Sequence, residues 1–561
     1  MRIIELNIVL LVIALGFVFF INKAWKERKD SYRLKSFFLG GAQLGPTLTE
    51  HNSIGMTFAW AGGIWFFVTL AFAYGPWVIL LQIFWSLSII FFGLLFSPIH
   101  AATKNRTIHG FLEACYNKNV RKIACIATAL GYIFNTGFEL YWSGKMFSGV
   151  FDLRLTELSL PIGIVLSLFA AVYCNIGGYR ANASTDKGQN ILGVIALGCL
   201  AVFTALASQS QALLWSSIIF CAGGTAYIIL SLNSPKSITE SFSKKISIFS
   251  FFLAGVAYLI SLVLSFSSQT TAIDTNVLKS SSPSYIFLIG LILFQLFYNV
   301  VDMANWQSVA ANGDIPKEEH KKLSWSIIRS ALYLNWFPAL GGTIVGLALR
   351  ASINVSTITD DNIFHHAFAT VMPGSGEFIR GLILGIMLLG FLSATLSTAD
   401  SYLMSATQTL IYDFFIHDKV QSLLKNEDIE GERKIVVLAK AMLYPIAIAM
   451  VIVFWFSYTK YRAIEGNALD FQMIMYAFAL TLFSPVLYGL FGNKELIPKL
   501  QRTAFWSIAI GLLTAIFPYI YAVAKHVPAE TRNILVWLTP VYSLISSSLV
   551  FFIGKSFIKK T

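Results

Sequence analysis

Residues 391–415, "FLSATLSTADSYLMSATQTLIYDFF", concentrate the oxygen chemistry of this chain inside an otherwise apolar run. Ala394, Ser397 and Thr398 stand at i, i+3 and i+4, so they share one face of a helix. Asp400 and Ser401 follow Ser397 by three and four residues and extend that polar surface. Carbonyl, hydroxyl and carboxylate oxygens on one buried face suit a small hard cation such as sodium. Ser397 alone has a blander reading, since Ser and Thr often bond back to their own helix or glue it to a neighbour. Asp400 is harder to explain that way, because an ionised group within lipid is costly and usually functional.

A second stretch, "TLTEHNSIGMTFAW" at 47–60, puts Glu50, His51, Asn52 and Gly55 at the head of another apolar run. Unpaired polar atoms have no water to satisfy them there. Glu139 in "NTGFELYWSGK" likewise lies mid-span, beside Tyr141 and Trp142 and six residues before Lys145, its plainest ion-pair partner.

These residues must be held by membrane-spanning helices. Of 561 residues, 56% are hydrophobic, 15% aromatic and 12% charged, a composition of a polytopic membrane protein. The net charge of +12 does not signal nucleic-acid binding, because the basic residues sit in short loops between apolar runs. The five cysteines are scattered, without a close C-x-x-C pair, and read as small buried hydrophobes. Apolar runs of roughly 20 residues, enough to cross a bilayer, occur at 3–22, 45–73, 77–100, 122–150, 158–178, 187–207, 212–232, 246–266, 284–310, 325–350, 377–414, 434–458, 468–491, 502–524 and 533–554. The expectation is therefore an all-α protein of about 15 spans. The first is read as a retained span, because no small-x-small cleavage site precedes the charges that follow it. Lys23, Lys26, Arg28, Lys29, Arg33 and Lys35 follow that span. They put that loop, and by alternation the C-terminal tail, in the cytoplasm and the N-terminus outside. The segment 351–376, "DDNIFHHAFATVMPGSG" within it, is expected to carry a short surface or re-entrant helix on the outer side.

Five stretches together resemble the sodium:solute symporters, the family of bacterial proline, sialic acid and sugar carriers and animal sodium–glucose carriers. "LSATLSTADSYLMSATQTLIYDFF", preceded by "MPGSGEFIRGLILGIML", is similar to the family's signature helix. "SFFLGGAQLGPTLTEHNSIG", "TIHGFLEACYNKNVRK", "NIGGYRANASTDKGQNI" and "FYNVVDMANWQSVAA" resemble its other landmarks, in the family's order across most of 36–490. The resemblance implies two five-helix repeats, inverted relative to one another, each with a broken first helix. The span count agrees: spans two and nine are seven crossings apart, so they run oppositely, as inverted repeats require. The expected organisation is an extra helix and loop over 1–35, a first repeat over 36–207, an inserted hairpin over 208–283, a second repeat over 284–491, and two further helices over 492–561.

On the same resemblance, 47–60 is the break in the first core helix. The carbonyls of Gly55 and Phe58 would face the Ala394 carbonyl and the Ser397 and Thr398 hydroxyls, forming the family's shared sodium site. A second sodium site of some relatives maps to Asp186, Ser397, Asp400 and Ser401. Asp186 also reads as a plain cap for span six. Substrate selection would fall on Glu50, Asn52, Thr57, Glu139 and Asp302; Asp302 matches a position where sugar-carrying relatives have an amide. Several acids around one pocket would attract an amine, with Trp60, Trp142 or Trp306 stacking on it. The reading is a sodium-coupled symporter in the cell membrane, importing a small polar metabolite, amine-bearing such as an amino acid or a related compound, by alternating access. Its partners are sodium, that solute and the lipid bilayer, with no nucleic acid; the oligomeric state is open. Proton coupling through His51, Glu50 or Asp186 is the nearest alternative. A polytopic membrane enzyme or a transporter-like receptor is a further one, with the adjacent His365 and His366 as the enzyme's best candidates.

Overall fold

The computed structural model describes residues 3–28, 32–103, 107–151, 158–232, 284–352 and 362–558. These residues form helices joined by short turns, and no strand occurs among them. Among the described residues, twelve helices are long and apolar enough to cross a membrane, or thirteen when the bent pair Gly45–Gly55 and Trp60–Tyr74 is taken as one span.

Of the expected fifteen spans, two are joined in one kinked segment and one lies outside the described residues. The expected spans 158–178 and 187–207 are one 50-residue helical segment, Ser159–Ser208. At ~1.5 Å per residue this is more than twice the ~30 Å of a bilayer's hydrocarbon core. Gly178 interrupts it at φ 63°, ψ −158°, a conformation that only glycine adopts readily. The expected span 246–266, the second arm of the 208–283 hairpin, lies outside the described residues, and only its first arm, Gln211–Leu232, is seen.

Local chemistry sets many helix starts. The side chains of Thr107, Asn117, Asp428 and Asn467 accept hydrogen bonds from the backbone N–H groups of Gly110, Val120, Gly431 and Asp470. Each such N-cap is worth about 1 kcal/mol. Burial then sorts the spans. Lys317–Ser352 and Glu377–Phe415 are mostly enclosed by protein, whereas Ile3–Lys26 and Thr539–Ile558 expose most of their apolar surface. The enclosed helices pack against the bent pair, so the polar residues of 391–415 and 47–60 meet in the interior.

Two helices are broken mid-course. The first bends by 57° between Gly55 and Trp60. The second runs Tyr285–Val301, breaks at Asp302 in an extended conformation, and resumes as Met303–Ala310. In the segment expected to cap one face, residues Ile363–Ala369 form a short helix, and Phe364 packs on the Trp60 ring at 4.3 Å.

Candidate functional site

The first break meets the helix Glu377–Thr407 at a cluster of oxygens. The Thr398 hydroxyl donates to the Gly55 carbonyl at 3.0 Å and lies 3.4 Å from the Ala394 carbonyl. The Ser397 hydroxyl donates to Asp186 Oδ1 at 2.8 Å. Asn52 donates to the other Asp186 oxygen at 3.0 Å and accepts from the Tyr179 hydroxyl at 2.7 Å. Gly55, Asn52, Asp186, Ala394, Ser397 and Thr398 are all buried. Gly55 leaves room for this convergence: a Cβ there would lie 2.2 Å from Ser397 Oγ and 2.8 Å from Asp186 Oδ1. Two carbonyls, two hydroxyls and a carboxylate thus converge at a point where any side chain at 55 would collide with them. The donor set is all oxygen, which fits a hard alkali cation as cargo. No group of three or more His, Cys, Asp or Glu suited to a metal ion occurs among the described residues.

The residues named for a second cation are divided between two pairs. Asp186 engages Ser397, while Asp400 Oδ1 accepts from its neighbour Ser401 at 3.2 Å. Asp400 Oδ2 is buried without a hydrogen-bond partner among the described residues. Phe58 places its ring against Gly193. His51 is buried beside this cluster and its carbonyl accepts from Asn190 at 3.2 Å.

Beside the oxygen cluster lies a cavity of about 590 Å³, part of it open to solvent, with Thr398 on its wall. Five carboxamides from separate segments of the chain line it: Gln82, Asn135, Gln295, Asn335 and Gln472. Gln82 Nε2, Gln295 Oε1, Asn335 Nδ2 and Gln472 Oε1 are buried and make no hydrogen bond among the described residues. Trp85, Phe294, Tyr402 and Tyr476 supply flat apolar faces. Phe294 and Tyr476 stack with ring centres 4.0 Å apart.

Of the five residues expected to select the solute, Thr57 and Glu139 line this cavity. The other three have partners elsewhere. Glu50 pairs with Arg329 at 2.5 Å, Asn52 holds Asp186, and Asp302 accepts from the hydroxyls of Tyr132 at 2.7 Å and Tyr298 at 3.4 Å. Glu139 does not pair with Lys145. Its two oxygens accept the N–H groups of Ala61 at 2.9 Å and Gly62 at 2.6 Å, while the Lys145 ammonium sits 4.5 Å from the centre of the Trp142 ring. Trp306 is fully buried, with its indole N–H on the Val300 carbonyl at 2.8 Å. The carboxamides escaped the sequence reading, which weighed charged residues. Their signal was present: an amide within an apolar run costs free energy unless something pairs with it.

The architecture has a known counterpart. A solved structure described as the substrate-bound, outward-open state of a Na+-coupled sialic acid symporter superposes with a TM-score of 0.60 at 15% identity, covering 99% of this chain and 98% of that one. MHP1, a nucleobase-cation-symport-1 family transporter in a closed conformation with bromovinylhydantoin bound, aligns over 96% of this chain and 94% of its own at 12% identity, with a TM-score of 0.42. In sequence, the uncharacterized symporter YidK of Escherichia coli (strain K12) is 26% identical over 300 residues, or 50% of this chain and 52% of that protein. The match therefore spans about half the length of that relative. No family model matches the chain. The chain thus shares its overall architecture with a Na+-coupled symporter and, over half its length, is similar in sequence to another protein described as a symporter.

Proposed function

We propose that this protein is a secondary active symporter that couples the entry of a small polar solute to sodium moving down its gradient. The observation that carries this reading is the junction of the Thr398 hydroxyl with the Gly55 carbonyl, at the point where the first helix breaks. Gly55, Phe58, Ala394, Ser397 and Thr398 hold the coupling ion, with the Asp186 carboxylate beside Ser397 supplying negative charge. The adjoining cavity takes the solute. Occupation of both sites shifts the protein between states open to opposite faces of the membrane. The repeats 36–207 and 284–491 form the moving and supporting halves of that exchange. The basic loops lie in the cytoplasm and the N-terminus outside, in the cell membrane.

A second reading uses a proton. Its support is Asp400, a buried carboxylate with one oxygen lacking a partner. Uptake of pooled labelled sugars, amino acids and nucleobases into proteoliposomes separates the two. Accumulation that needs an inward sodium gradient supports sodium coupling. Accumulation driven by a proton gradient in choline buffer overturns it, and no gradient-driven uptake of any pool overturns symport altogether.

A further inference from the structure

A helix begins with unpaired N–H groups and a partial positive charge. Carriers built on broken helices commonly aim such starts at anionic groups of the substrate. In this chain, both restarted half-helices already have a carboxylate at that end. Trp60–Tyr74 begins against Glu139, whose two oxygens take the N–H groups of Ala61 and Gly62. Met303–Ala310 begins with Asp302 in the N-cap position. The Asp302 carboxylate accepts from the Tyr132 hydroxyl, and that hydroxyl in turn accepts the Ala304 N–H at 2.6 Å. Both acids are almost wholly buried.

Among the described residues, the cavity wall contains no Lys, Arg or His, and Glu139 is its one acidic residue. A solute carboxylate there would find no cation and would face Glu139. A solute ammonium would find both Glu139 oxygens engaged by backbone. The groups left wanting partners are neutral: two amide nitrogens, on Gln82 and Asn335, and two amide oxygens, on Gln295 and Gln472. Leaving them unpaired costs about 1–3 kcal/mol each, so a ligand offering both donors and acceptors gains most. The stacked faces of Phe294 and Tyr476 and the indole of Trp85 suit a ring.

We propose that the solute is uncharged and ring-shaped, carrying hydroxyl, amide or imide groups, and that Glu139 is the residue that excludes carboxylates. This replaces the amine expected from the sequence, and it rests on reading the cavity as the solute site. The test uses matched probes, D-galactose against D-galacturonate and uracil against orotate. Binding to the purified full chain is followed by thermal shift in sodium chloride and in choline chloride. At least one neutral probe binds, and its carboxylate partner binds roughly 100-fold more weakly, since like charges are juxtaposed. Glu139→Gln narrows that ratio to about tenfold or less, whereas a purely structural role would weaken both members of a pair equally and leave the ratio unchanged. A carboxylate binding within about threefold of its neutral partner in the wild-type chain overturns the inference. So does the failure of every neutral probe. Neutral binding of equal strength in both salts overturns sodium coupling and leaves this assignment standing.

Discussion

The oxygen cluster and the cavity share a wall, yet they are built in opposite ways. The cluster draws on short local patterns: a helix interrupted at 56–59, and three residues at helical spacing on 394–398. The cavity draws single amides from Gln82, Asn135, Gln295, Asn335 and Gln472, spread over nearly 400 positions. A cation needs several identical donors at fixed distances, which a carbonyl and a helix face supply together. A solute needs a mosaic, which is assembled by bringing different helices together. Across proteins of this architecture, the first arrangement is therefore expected to vary little and the second to vary freely.

That contrast can be broken by mutation. The largest effect belongs to Gly55→Ala, whose methyl group would enter the space between Ser397 and Asp186; sodium-stimulated uptake falls to background while the protein still inserts, as surface labelling checks. Ser397→Ala combined with Thr398→Ala removes two donors worth about 1–1.5 kcal/mol each. The sodium concentration for half-maximal uptake then rises roughly 30- to 100-fold. Next comes Gln472→Ala or Gln295→Ala, which raises the solute KM about three- to tenfold while sodium-induced fluorescence change without solute stays as in the wild type. If that sodium response collapses too, the two regions are not separable. The smallest effect is for Glu50→Gln. Because Glu50 lies against Arg329 and off the cavity wall, solute preference in competition assays shifts less than about twofold. A changed solute ranking would return Glu50 to the selecting residues.

Long apolar runs made the helical membrane fold legible in the sequence, because hydropathy is a property of each segment alone. The Ser397–Thr398 face was legible because helical spacing alone places both on one side. What escaped required a third partner. Glu139 and Lys145 are six residues apart on one chain, but the donors that claim Glu139 exist only because the helix at 56–59 unwinds and frees the N–H groups of Ala61 and Gly62. Asp302 and Glu50 were assigned to the pocket by kinship of position, and their partners Tyr132 and Arg329 come from segments about 170 and 280 residues distant. The division between the spans 158–178 and 187–207 coincides with a backbone break at Gly178, whose angles interrupt the helical segment Ser159–Ser208.

Thr398 belongs to both regions: its hydroxyl reaches the Gly55 carbonyl, and its side chain forms part of the cavity wall. On the proposed function, an ion drawing that hydroxyl's oxygen toward itself would also reset the surface that a solute meets. Thermodynamic reciprocity would then have each passenger change the other's affinity by the same factor. A single threonine can thus act as the toll-gate at which two fares are read together.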